Sequence, residues 1–225
     1  MLGAQRFLDA VKTGDAARVK QMLVIEPNLA NARAESGASA MMTAIHHNKM
    51  DIRDLLLERG ARLDIHEAAA AGKFEHVAAL AAQNPAAINS VAPDGFTPLA
   101  LAAFFGQRDV AQWLLANGAD VNAVAKNATG YTPLTGAVAR GDVEIVRLLL
   151  SSGANAAHRY GAGYSVLHEA AASGKLEIAK LLLEHGADPS ALTDDGQTPL
   201  SMAESKGQTE TAALLRQHVA SSESR

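Results

Sequence analysis

The sequence predicts an all-α solenoid of short, stacked helix pairs, and three observations carry that reading. Short Ala-rich segments recur along the chain, each closing on a glycine, mostly 33 to 35 residues apart. A fixed period in the range of about 20 to 50 residues marks an array in which each unit packs only on its neighbours. The 225 residues include 47 alanines but only 4% aromatics, so helices must approach one another over small side chains. Hydrophobic residues make up 48% and charged residues 20%, enough apolar surface for a sizeable core and too little charge for disorder.

Aligned on the closing glycine, the units fall at Gly14, Asn48 (in the glycine slot), Gly72, Gly106, Gly141, Gly174 and Gly207, with steps of 34, 24, 34, 35, 33 and 33 residues. About seven units result, approximately 4–35, 36–62, 63–93, 94–128, 129–161, 162–193 and 194–217, forming one domain over 4–217. Within a unit, Thr97-Pro98, Thr132-Pro133 and Thr198-Pro199 place a hydroxyl cap before a proline at the first helical position, where a missing N–H costs nothing. The first helix then runs about two turns to its glycine, which takes the left-handed conformation that closes a helix. A second helix follows, with apolar residues at helical spacing in Leu176, Ile178, Leu181 and Leu182, stopped by Gly186 and by Gly60, Gly118 and Gly153 in other units. Helices of about ten residues are unstable alone, so their apolar faces must be buried by stacking unit on unit.

The 24-residue step has its own meaning. Gly60-Ala61-Arg62-Leu63-Asp64 runs straight into Ile65-His66-Glu67, so both helices remain while the extended loop between the second and third units is deleted. Asp64 with Glu67 forms a capping box that starts the third unit directly. The end units differ where the sixth has Leu176 and Ile178: Ala16 and Arg18 stand there in the first and Thr209 and Thr211 in the last, polar substitution being expected where one face has no neighbour. Residues 218–225 read as a short mobile tail. Phe7, Phe74 and Trp113 align with core leucines and read as packing residues.

The segment Thr97-Pro98-Leu99 through Gly118-Ala119-Asp120-Val121-Asn122, with Leu167-His168-Glu169-Ala170-Ala171 through Gly186-Ala187-Asp188, resembles the ankyrin-repeat family, and the resemblance covers roughly residues 4 to 217. It implies helix-turn-helix units with projecting finger loops and, for function, a protein-protein interaction module that is not an enzyme. It also implies that His66 and His168 hold structural positions bonded to backbone. The family's Pro is replaced at Ser165-Val166, and its His by Met42, Ala100, Thr135 and Ser201. Asn122 stands in a context that resembles asparaginyl-hydroxylation sites of such repeats and is a possible modification site.

Composition excludes several other functions. Lys and Arg number 20 against 24 Asp and Glu, a net charge of −4 with no basic block, which argues against nucleic acid as partner. The absence of Cys removes disulfides, thiolate metal sites and a thiol nucleophile. No stretch approaches the length and apolarity of a membrane span, and the N-terminal residues lack an apolar leader, so the expectation is a cytoplasmic monomer. No catalytic motif is found, and no metal or cofactor is expected: adjacent His46 and His47 point about 100° apart on a helix, and Gly161-Ala162-Gly163 reads as a finger loop.

The scarce aromatics supply the candidate site. In repeats of this kind the residue before Thr-Pro and the two before the closing glycine face the concave groove. Phe96, Tyr131, Tyr164 and Gln197 fill the first position, and His46-His47, Phe104-Phe105, Ala139-Arg140 and Lys206 are among the second, so five of nine aromatics fall at such positions in three consecutive units. Exposed aromatics in one patch are enriched at interface hot spots. The expectation is a partner protein bound by Phe96, Phe104, Phe105, Tyr131, Arg140 and Tyr164. A regulatory or inhibitory subunit of a neighbouring enzyme, or a hydroxylase substrate, is the alternative.

Overall fold

Helices this short persist only if their ends are satisfied and their apolar faces covered. The computed structural model, which describes residues 2–223, supplies both. Fourteen α-helices follow one another among the described residues as seven pairs: α1 (Leu2–Thr13) with α2 (Ala16–Ile25), α3 (Ala40–His46) with α4 (Met50–Glu58), α5 (Ile65–Ala70) with α6 (Phe74–Gln83), and α7 (Pro98–Phe105) with α8 (Arg108–Ala116). The series continues with α9 (Pro133–Arg140) and α10 (Val143–Ser151), α11 (Val166–Ala172) and α12 (Leu176–Glu184), and α13 (Pro199–Ser205) and α14 (Thr209–Glu223). The first helices of the pairs stack in one row, each on the next, and the second helices form an outer row behind them.

The caps are those the sequence predicts. Thr97, Thr132 and Thr198 each accept a backbone N–H from the third helical residue, with Pro at the start of the helix. Gly106 closes α7 and Gly141 closes α9, both in the left-handed region, and Asn48 takes the same conformation in the glycine slot. Asp64 and Glu67 make the capping box of α5, the Asp64 N–H donating to the Glu67 carboxylate at 2.9 Å. The pairs bury a continuous apolar seam in which Phe7, Ile52, Leu99, Leu134, Leu149, Leu167 and Ile178 are enclosed. At about 25 cal/mol per Å² of apolar area, this seam is the main force holding helices too short to stand alone.

Three expectations need correction. Phe74 is no core residue: it opens α6, is 37% exposed, and meets the half-buried Trp113 edge-on at 6.2 Å on the outer row. Thr211 is buried rather than turned to solvent, because the first turns of α14 still pack on α12 and α13, while Thr209 is exposed. The last helix also reads on to Glu223, into the segment expected to be a tail.

The second finger is absent. Only residues 59–64 join α4 to α5, whereas longer stretches carry the others out: a bridge pairs Arg33 with Ser39 in the first, and β1 (Arg159–Tyr160) pairs with β2 (Tyr164–Ser165) in the fifth. With no finger between them, the first and third touch, Gly37 lying so near Pro93 that a Cβ there would stand 3.2 Å from it.

Candidate functional site

The aromatic cluster depends on one glycine. Residues Pro98–Ala103 of α7 are buried between α5 and α9, and the helix surfaces only in its last turn, where Phe104 is 45% exposed and Phe105 half-buried against the core. Phe104 lies over Gly136, in the middle of α9, so closely that a Cβ there would stand 3.2 Å from its own. A mid-helix glycine costs about 1 kcal/mol relative to alanine. Its lack of a side chain is what lets α9 approach this end of α7.

Three cavities meet at His46. The first, of 180 Å³, is lined by His46, Phe96, Leu101, Phe104, Tyr131 and Gly136, among others. The second, of 510 Å³, places Arg53 and Arg140 beside Phe104 and Phe105. The third, of 380 Å³, occupies the place of the missing finger, between Arg33, Met42, Asp64, His66, Glu67 and Asp94. His46 reaches across the third pair because Ala70, which lines the second cavity, is too small to block it. Its ring meets Phe105 edge-on at 5.2 Å, and Phe105 meets Phe104 at 5.0 Å.

The expected site residues therefore divide. Phe96, Phe104 and Tyr131 share one cavity, and Phe104, Phe105 and Arg140 share its neighbour. Tyr164 lines none of the three: it sits in β2 opposite Tyr160, the rings 6.4 Å apart, with His168 at 5.8 Å. Tyr131 meets Tyr160 at 5.1 Å and remains 38% exposed. Phe104 and Phe105 are not equally free of packing duty, as the sequence suggests, since Phe105 packs on the core. Arg140 has a seat of its own. In other pairs a long polar residue after the glycine slot reaches back to the end of the preceding inner helix: Gln107 donates to the Ala70 carbonyl at 3.1 Å, and Lys175 to Val138 at 2.9 Å and Ala139 at 3.0 Å. In the fifth pair that residue, Asp142, instead caps α10, and the Arg140 guanidinium lies over Gly106 at the end of α7, where a cation suits the helix dipole.

The family model for ankyrin repeats (3 copies) matches residues 65–160 and again 137–224. The chain belongs to the ankyrin-repeat family. No curated protein matches it in sequence. Ankyrin repeats generally serve as non-catalytic protein-protein interaction modules. In this ankyrin array His66 and His168 hold their positions through backbone: His66 Nε2 donates to the Ser90 carbonyl at 3.1 Å, and His168 accepts at Nδ1 from the Ser165 N–H at 3.2 Å while Nε2 donates to the Gln197 carbonyl at 3.1 Å. Asn122 is likewise a bolt between repeats, its Nδ2 donating to Gly153 O at 3.0 Å and its Oδ1 accepting from the Asn155 N–H at 2.8 Å.

Charge gathers where the ankyrin finger is missing. Arg33 binds Asp64 at 3.2 Å and Glu67 at 3.0 Å, the Glu67 side chain only 2% exposed, and His46 lies 3.8 Å from Asp94. Burial alone would raise the Asp64 carboxyl, but hydrogen bonds from His66 and the Glu67 backbone, with the charges of His66 and Arg33, outweigh it and bring it down to about 2. Burial likewise opposes protonation of His66, yet Asp64 and the Ser90 carbonyl raise it above its ordinary value. His168 goes the other way: burial dominates and lowers it. Among the described residues no group of three or more His, Asp or Glu is placed to hold a metal ion, and no helix is long and apolar enough to cross a membrane. Asp94 and Gly136 are not among the expected site residues, and His46 is a groove-facing position of the sequence that the expected partner site leaves out. Gly136 leaves a readable trace, an isolated glycine inside a helical stretch, whereas the meeting of His46 with Asp94 depends on the lost finger.

Proposed function

We propose that this ankyrin array is a binding module that holds a partner protein through the concave groove of its fourth to sixth units. The observation that carries the reading is Phe104, a large ring left 45% exposed at the junction of two cavities. An exposed ring in a recess is costly in water and gains when a partner covers it. Phe96, Phe105, Tyr131 and Arg140 surround it, and Tyr164 extends the aromatic series along the fingers. The balance of −4 without a basic block supports a protein rather than nucleic acid as partner. The chain is further proposed to act as a cytoplasmic monomer without a cofactor.

Affinity capture with the wild-type chain and with Phe104→Ala, compared by mass spectrometry, tests it. The partner is expected to be retained by the first and lost by the second, both folded by circular dichroism. Equal capture by both refutes the groove as the binding surface.

A further inference from the structure

The two cavities that share Phe104 as a wall differ in chemistry. The wall of the 180 Å³ cavity is almost wholly carbon, mainly from Phe96, Leu101, Phe104 and Tyr131, with His46 and Thr132 the polar residues on its lining. An apolar cavity of about 150 Å³ holds a benzene ring, so this one has room for a single aromatic or branched aliphatic side chain. Its 510 Å³ neighbour contains two guanidinium groups, Arg53 and Arg140, and no carboxylate among its lining residues. Arg53 is committed to Asp54 at 2.8 Å. Among the described residues Arg140, like Arg6, Arg18, Arg59, Arg62 and Arg159, has no carboxylate within ion-pair distance, and of these it alone lines this cavity. Asp94, which lies 3.8 Å from His46, lines only the third cavity. In a chain with a surplus of acids, a cation left unpaired beside an exposed ring is complementary to an incoming carboxylate, which a guanidinium receives through two parallel hydrogen bonds.

We infer that the groove recognises an extended segment of a partner protein in which one bulky apolar side chain is followed or preceded closely by Asp or Glu. The apolar side chain enters the 180 Å³ cavity, and the carboxylate pairs with Arg140 in the adjoining one. Because the cavities share Phe104 and an extended chain advances about 3.3 Å per residue, the two groups stand within about three residues of each other. This rests on the groove being the binding surface, and it adds the chemistry of what that surface accepts. A stacked base with its phosphate would also offer a ring and an anion, but Arg140 beside a carboxylate-bound Arg53, in a net-acidic chain, is poor footing for a polyanion.

The test is selection of a displayed library of random dodecapeptides on the immobilised wild-type chain. Affinities of the selected peptides are then measured by fluorescence anisotropy against wild type, Phe104→Ala, Arg140→Gln and Arg140→Glu, each checked for a native melting curve. The peptides are expected to share an aromatic or branched aliphatic residue with an acid close by, and to weaken about tenfold or more with Phe104→Ala and with Arg140→Glu. Replacing the peptide acid by its amide is expected to cost about tenfold on wild type and almost nothing on Arg140→Gln, the signature of a direct pair. Peptides that need Phe104 but carry no acid, or that ignore Arg140, overturn this inference and leave the groove reading standing. A selection that enriches nothing, or peptides indifferent to Phe104, removes the groove reading itself. A fluorescein-labelled oligothymidylate is expected not to bind, and Phe104- and Arg140-dependent binding of it would overturn the assignment to a protein segment.

Discussion

Phe104 and Phe105 are adjacent and chemically identical, yet their truncation should have different consequences. Fully burying a phenylalanine contributes roughly 1.5–3 kcal/mol, and Phe104, 45% exposed, realises about half of that. Losing its edge contact with Phe105 costs a further ~0.5 kcal/mol, while alanine returns about 0.5 kcal/mol of helix propensity. The net loss for Phe104→Ala is about 1 kcal/mol, which in a chain of this size lowers the melting temperature by about 3 °C. Phe105 packs on the core and meets two rings, His46 at 5.2 Å and Phe104 at 5.0 Å, so Phe105→Ala should cost about 2–3 kcal/mol and about 6–9 °C. Binding should order the other way, the exposed ring at the cavity junction losing roughly 2 kcal/mol or more of partner affinity for little stability. Thermal melts by circular dichroism alongside partner capture measure both quantities. A drop for Phe104→Ala as large as for Phe105→Ala would show that the first ring is structural, and the argument from its exposure would fail.

Other substitutions probe the supports of the groove. Gly136→Ala should leave stability within about 0.5 kcal/mol, because the roughly 1 kcal/mol helix gain is spent on the 3.2 Å approach to Phe104, whereas Gly136→Val should cost about 2 kcal/mol in urea unfolding. Glu67→Ala removes the acceptor for the Asp64 N–H and one partner of Arg33, and should cost about 2 kcal/mol; Glu67→Gln, which still caps, should cost about half as much in the same assay. Asp64 is depressed to about 2, so its contribution to stability is present above its ordinary 3.8 and is lost as pH falls from about 4 toward 2; Asp64→Asn should flatten that part of the stability profile. By NMR titration His66 should protonate above 6.5 and His168 below it; the contribution of His66 is lost as pH rises through its raised value, that of His168 as pH falls below 6.5.

The sequence by itself determined the parts of this protein that are local. A Thr-Pro start, a glycine stop and the Asp64–Glu67 box are interactions between residues three or four apart, and their recurrence, including the 24-residue step, is enough to place helix pairs and to mark the missing finger. The structural roles of His66 and His168 came from the resemblance to ankyrin repeats, and their backbone hydrogen bonds agree with it. What only the tertiary structure decided lies between units. Phe104 and Phe105 are adjacent in sequence, and it is the stacking of the inner helices that leaves the first ring 45% exposed over Gly136 and sets the second against the core and His46. Tyr164 occupies the same repeat position as Phe96 and Tyr131, yet the β1–β2 hairpin of its own finger turns it toward Tyr160. Arg140 acquires its place because Asp142 is committed to capping α10, and His46 meets Phe105 because a unit of alanines stands between them. Stacking brings side chains 30 to 60 residues apart into contact according to the size of what lies between, and no local pattern encodes that size.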